Sequence, residues 1–173
     1  MIRKAIDKDV PGILEIYNDA ILNTTAVYTY DPHSLGLMEQ WYRDKQDKGL
    51  PVFVAELDNK IVGFASYGPF RPWPAYKHTV EHSIYVHKDF RGRGIAKVLL
   101  TVLIEEAKAQ KLHTIVAGID SANAVSISLH EKLGFHEVGL ISQVGYKFDR
   151  WLDLKFMQLI LEETKTEETK TNK

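Results

Sequence analysis

The chain of 173 residues has no cysteine. Disulfides, thiolate metal sites and a cysteine nucleophile are therefore all excluded. No apolar run approaches the length needed to cross a bilayer, and Met1 to Lys4 leads into no signal-peptide core. The expected compartment is the cytoplasm, with no membrane partner. An excess of charge is also missing: the formal net charge is −1. With no basic face beyond one loop, nucleic acid is not the expected partner. What remains is ordinary globular material, 45% hydrophobic and 26% charged. It is long enough for one domain with a full core and too short for two comfortable ones.

The chemistry concentrates between Ser83 and Lys97. Ile84 and Val86 alternate with polar or amphipathic neighbours, as in a strand within a sheet. After Ala96, Leu99, Val102, Leu103 and Ala107 form one helical stripe, and Lys97, Thr101, Glu105 and Lys108 form another. Between strand and helix, Gly92 and Gly94 let the backbone turn tightly, with no Cβ to hold a ligand off the amides. The first amides of the helix have no carbonyl partners and carry the positive end of its dipole. An anion there gains about 0.3–1 kcal/mol per contact when exposed. Lys88, Arg91, Arg93 and Lys97 outweigh Asp89 in the same stretch. The pattern points to a pyrophosphate; a glycine-rich turn without a ligand is the alternative. A P-loop would need Gly-Lys-Ser/Thr, and Gly94 is followed by Ile95. A dinucleotide fingerprint would want a small residue at 97, which is lysine, although Asp120 lies a plausible distance downstream.

Along the rest of the chain, residues 2–5 read as a short strand and 7–22 as a helix with Val10, Ile13, Leu14, Tyr17, Ala20 and Ile21 on one stripe. Residues 23–32 form a polar and aromatic connection, richer in hydroxyls and rings than a spacer needs. Ser34 caps a second helix with Leu37, Met38, Trp41 and Tyr42 inward, ended by Gly49. Residues 52–57 and 61–67 form a hairpin. The loop 68–76 holds three prolines and three aromatic rings, which suit a stiff pocket wall. Arg71 within it can clamp a carboxylate or phosphinate, or simply be solvated. A strand at 112–119 is expected to run parallel to the one at 79–86, because a helix crosses between them. Asn123 caps a helix to Leu133, with Gly134 as its left-handed stop, and strands at 138–141 and 151–161 close the sheet. The order β-α-α-β-β-β-α-β-α-β-β is α+β, with helices on both faces of a mixed sheet. Residues 162–166 repeat as 167–171 without an apolar side chain, so 162–173 is expected to be a disordered tail on a single domain of 1–161.

The loop Arg91-x-x-Gly94-x-Ala96 resembles the Arg/Gln-x-x-Gly-x-Gly/Ala loop of the GNAT superfamily of N-acetyltransferases. A second stretch in register, Asn123-x-x-Ser126-x-x-Leu129-His130-Glu131-Lys132-Leu133-Gly134-Phe135, resembles that family too. The resemblance implies acetyl-CoA as cosubstrate, with its pyrophosphate on Arg91, Gly92, Arg93, Gly94, Ile95, Ala96 and Lys97. It implies Asn123 on the pantetheine side, and backbone pairing of the pantetheine amides with Ile84, Tyr85 and Val86 where two parallel strands splay apart in a mostly antiparallel sheet. Within the family the chain looks most like the phosphinothricin and methionine sulfoximine N-acetyltransferases. The matching features are Ile16–Ala20 with Asn23–Ala26, Arg71-Pro72 before an aromatic, Thr79–Ser83, and Gln143-Val144-Gly145 with Arg150–Asp153. By that resemblance Arg71, Pro72, Trp73, Glu81, His82 and Ser83 contact an amino-acid-like substrate, and the enzyme is a homodimer. The usual glycine before Arg-Trp is Asp149 here, which bears on backbone geometry more than on catalysis.

The implied reaction is direct attack of the substrate amine on the thioester, with no metal. Three tasks follow: deprotonate the ammonium, polarise the carbonyl, protonate the leaving thiolate. Glu81 is the first choice of base, or else a buried structural carboxylate, and His82 is the second choice. On a regular strand the two point to opposite faces, so only one can serve. His130 stands where many family members have tyrosine, and is the candidate acid, or else a surface or capping residue. Rival readings are another acceptor (a peptide N-terminus, a polyamine, an aminoglycoside) and a non-catalytic acetyl-CoA sensor.

Overall fold

Seven strands make one mixed sheet in the order β1-β2-β3-β4-β5-β7-β6. They are β1 (Ile2–Lys4), β2 (Val52–Leu57), β3 (Lys60–Pro69), β4 (Thr79–Val86), β5 (Thr114–Asp120), β6 (His136–Lys147) and β7 (Arg150–Ile160). Among the described residues four α-helices accompany them: α1 (Val10–Asn23), α2 (Leu35–Asp47), α3 (Ile95–Ala109) and α4 (Ala124–Lys132). The computed structural model describes residues 1–161; the repeated tail, 162–173, lies outside the described residues.

The element order is the one the sequence dictates, and the polar caps work as their residue types require. Ser34 Oγ accepts the Leu37 N–H at 3.2 Å, and Asn123 Oδ1 accepts the Ser126 N–H at 3.1 Å. One expectation about α2 fails: Met38 and Tyr42 are buried, but Leu37 is 51% exposed. β6 is also far longer than residues 138–141. Register shifts at Glu137/Gly139 and Ile141/Gly145 break its alternation, so the sequence pattern hides most of the strand. Asp149, in place of a glycine, sits at φ 57°, a left-handed turn that explains why glycine suits the position.

Each face of the sheet has its own core. α3 and α4 cover one face through Leu99, Leu100, Leu103, Ile115, Ala117 and Phe135. α1 and α2 cover the other through Ile13, Ile16, Met38, Val54 and Phe64. The feature that positions the site is the single parallel pair. β4 and β5 pair at only Thr79↔Thr114, Val80↔Ile115 and Glu81↔Val116. Beyond that rung both strands continue, β4 still paired to β3 as far as Gly63↔Val86 and β5 to β7 as far as Asp120↔Leu154. They no longer pair with each other, and a wedge opens between them.

Candidate active site

The wedge exposes what a sheet interior hides. Along it, β4 after Glu81 and β5 after Val116 turn edges with no ladder partner toward each other, and such N–H and C=O groups demand one. Ser83 and Gly118 lie in central strands yet are exposed on the α1/α2 face. A thin, amide-bearing arm fits such a gap by completing the ladder, as an added strand does.

At the wide end of the wedge the chain turns into α3. Gly92 and Gly94 take φ 74° and 77°, where a side chain is disfavoured. No side chain caps α3. The first backbone bond at its start is Val98 N–H to Gly94 O at 3.2 Å, so the amides of 95–97 point outward without carbonyl partners. Gly92, Arg93, Gly94 and Lys97 are exposed around them. This loop is braced from behind. His87 Nδ1 accepts the Asp89 N–H at 3.2 Å, and Arg91 donates from Nε to the Val86 carbonyl and from Nη2 to Asp19, both at 3.2 Å. The Arg91 guanidinium therefore secures the loop to α1 while keeping about half its surface, 49%, exposed. Asn123 likewise spends its side-chain oxygen on the α4 cap. His87, 6% exposed, carries no sign of this role in the sequence beyond its place two residues before Asp89. A diphosphate on the free amides and an amide arm in the wedge suit the residues present, so the site fits acetyl-CoA.

Glu81 and His82 part company at the last rung. Glu81 faces the α1/α2 side, where its Oε1 would stand 3.1 Å from a Cβ on Gly118. Burial raises its pKa, and Arg71 nearby partly offsets that. His82 faces the α3/α4 side and meets His130 there, Nε2 to Nε2, at 2.9 Å. His130 Nδ1 lies 2.7 Å from the Ser126 carbonyl, which can only accept, so Nδ1 carries the proton. His130 Nε2 is then the acceptor and His82 Nε2 the donor, leaving the His82 Nδ1 lone pair buried without a partner. Burial, then the repulsion a protonated His130 would exert, lowers the His82 pKa to about 3, and burial lowers that of His130 as well. The two histidines are thus a neutral buried pair, 9% and 3% exposed, across the sheet from Glu81. Arg71, Pro72 and Trp73 line an apolar pocket of about 360 Å³ with Tyr67, Tyr76, Val80 and Leu112, on the Val80 side. Arg71 is the residue of that loop whose charge reaches Glu81.

The family model described as Acetyltransferase (GNAT) family matches residues 13–135. The chain belongs to that family. It is 49% identical over 166 residues to the L-methionine sulfoximine/L-methionine sulfone acetyltransferase of Pseudomonas aeruginosa, covering 95% of this chain and 96% of that one. It is 35% identical over 158 residues to the phosphinothricin N-acetyltransferase of Alcaligenes faecalis, covering 91% and 80%. The structure of a Salmonella typhimurium acetyltransferase with its cofactor acetyl-CoA superposes with a TM-score of 0.92 at 45% identity, covering 94% of each chain. The GNAT acetyltransferase has the mixed sheet, with its one parallel pair, read from the element order.

Proposed function

We propose that this acetyltransferase moves the acetyl group of acetyl-CoA to the amine of a small amino-acid analogue of the methionine sulfoximine or phosphinothricin type. The observation that carries the reading is Glu81. Its half-buried carboxylate stands at the last rung of the parallel pair, on the side where Ser83 and Gly118 are open. Glu81 takes the proton that the acceptor ammonium must lose before its nitrogen forms the C–N bond as C–S breaks. A carboxylate whose pKa is raised by burial is the stronger base for that task. Arg71, beside it, holds the acceptor carboxylate. The amides of 95–97 and the loop 91–94 hold the diphosphate, and the β4 edge at Ile84, Tyr85 and Val86 pairs the pantetheine arm.

His82 and His130 support the wedge and transfer no proton in this scheme. A ring with pKa about 3 is too weak a base, and the His130 Nδ1 proton is committed to Ser126. The departing thiolate then takes its proton from solvent or from the acceptor. The enzyme is a cytoplasmic homodimer in the same reading. No helix among the described residues is long and apolar enough to cross a membrane. The dimer is supported by Val138, Leu140, Ile141 and Val144, exposed on the edge strand β6. Free-thiol release with methionine sulfoximine, phosphinothricin and a panel of peptide, polyamine and aminoglycoside amines tests the assignment. Release with the first two and not with the panel supports it; release with the cationic amines alone overturns it.

A further inference from the structure

Two stretches have no part in the chemistry so far: the connection between α1 and α2, and the segment 143–153 at the end of the β6–β7 hairpin. The fold presses them together on the α1/α2 face, beyond the wide part of the wedge. Lys147 Nζ donates to the carbonyls of Ile21, Thr24 and Val27 at 2.5, 2.8 and 2.7 Å. Tyr30 donates its hydroxyl to the Tyr146 carbonyl at 2.5 Å. The Tyr28 ring packs against Gly145, where a Cβ would stand 2.7 Å from its Cδ2 and Cε2. So much anchoring holds two side chains in place. Arg150 sets its Nη2 at 3.8 Å from Asp120 Oδ2 and keeps half its surface exposed. Asp120, 6% exposed, is itself fixed by the Thr25 hydroxyl at 2.5 Å and the Ala122 N–H at 3.1 Å. The Tyr28 phenol shares this neighbourhood; burial, then Asp120 and Asp153, raise its pKa, so it is a hydroxyl donor at neutral pH. Among the described residues neither the Tyr28 hydroxyl nor the rest of the Arg150 fork has a partner.

We infer that Tyr28 and Arg150 form an oxyanion subsite that recognises the tetrahedral sulfur- or phosphorus-bound oxygen at the far end of the acceptor. The inference rests on the acceptor class proposed above and deepens it. Spacing supports it. Gly118, against Glu81, and Asp120, behind Arg150, are two residues apart on the same face of β5, about 6.6 Å. In methionine sulfone, methionine sulfoximine and phosphinothricin alike, five bonds separate the amine nitrogen from that oxygen, a comparable reach. With the amine at Glu81 and the carboxylate at Arg71, the side-chain oxygen arrives at Tyr28 and Arg150. A planar guanidinium fork and a phenol suit two oxygens on one tetrahedral centre.

The test compares methionine sulfone with norleucine, which has the same reach and no oxygen there, as acceptors for the wild type, R150Q, Y28F and G145A. The last variant displaces the Tyr28 ring while keeping its hydroxyl. Acetyl-CoA affinity by calorimetry verifies that each variant is folded. The expected result is that each variant lowers kcat/KM for the sulfone about tenfold more than for norleucine, through KM, because a site built for a polar group loses that discrimination when its donors go. Equal losses for the two acceptors, or none, overturn the subsite and leave the acetyl transfer standing. Wild-type turnover of neither sulfone nor sulfoximine overturns the acceptor class and the subsite together.

Discussion

His82 and His130 share one proton, Nε2 to Nε2, at 2.9 Å. The direction of that bond is set by the Ser126 carbonyl behind His130. Its cost appears on acidification. The folded chain keeps His82 neutral down to a pKa of about 3, whereas an unfolded histidine takes a proton near pH 6.5. Below about 6.5 the unfolded state therefore binds more protons, and stability, complete above that value, drains away as pH falls toward 3. The urea midpoint should fall between pH 7.5 and 5, and His82→Phe together with His130→Phe should flatten the fall. His130→Phe alone strands the His82 N–H and should cost about 1–3 kcal/mol.

Removing the carboxylate of Glu81 should separate chemistry from binding. Glu81→Gln is expected to lower kcat by about 10²–10⁴-fold with acetyl-CoA affinity unchanged in calorimetry. Turnover at the wild-type rate would remove Glu81 from the mechanism. In the wild type, the acid limb of the kcat/KM profile should lie above the ordinary glutamate range, because burial raises this pKa and the base acts ionised.

Gly118→Ala probes the same group by steric means. The new Cβ meets Glu81 Oε1 at 3.1 Å and Leu154 Cδ1 at 3.4 Å, so the carboxylate must shift. Turnover should fall about tenfold, since a small misplacement of a reacting group is costly, while the affinity for acetyl-CoA holds. Gly94→Ala should do the reverse. At φ 77° alanine costs about 1–2 kcal/mol, and the strain falls on the loop, so the calorimetric Kd for acetyl-CoA should rise with little change in kcat at saturation.

Lys147→Met tests the clamp at the end of α1. Three carbonyls lose their donor in a place where the lysine is 4% exposed. Chemical denaturation should show a loss of about 3 kcal/mol. The connection that carries Thr25 and Tyr28 should gain proteolytic sensitivity.

The sequence made the glycine-rich turn into α3 legible because its requirements are local: two glycines, which take φ 74° and 77°, and helix-starting amides within a few residues. The opposite facing of Glu81 and His82 followed from strand alternation alone. The His82–His130 contact did not, because it joins residues 48 apart through the packing of α4 on the sheet, which no periodicity encodes. The pairing of Arg91 with Asp19 was not legible either, because it depends on where α1 crosses β4. The full length of β6 was invisible because its bulges interrupt the alternation that marks a strand, and with it went the contact between Gly145 and Tyr28. Leu37 shows the limit of a helical stripe, since the width of the buried arc is fixed by the neighbouring sheet rather than by the helix.

Three rungs between Glu81's strand and its parallel neighbour make a mechanical seam down the middle of the molecule, with seven rungs in the pairing on either side. A ligand arm that completed the ladder beyond those rungs would bind the two halves of the sheet together like a page stitched between two covers. Hydrogen exchange should then slow on both halves at once when acetyl-CoA is added, including at amides the ligand never touches.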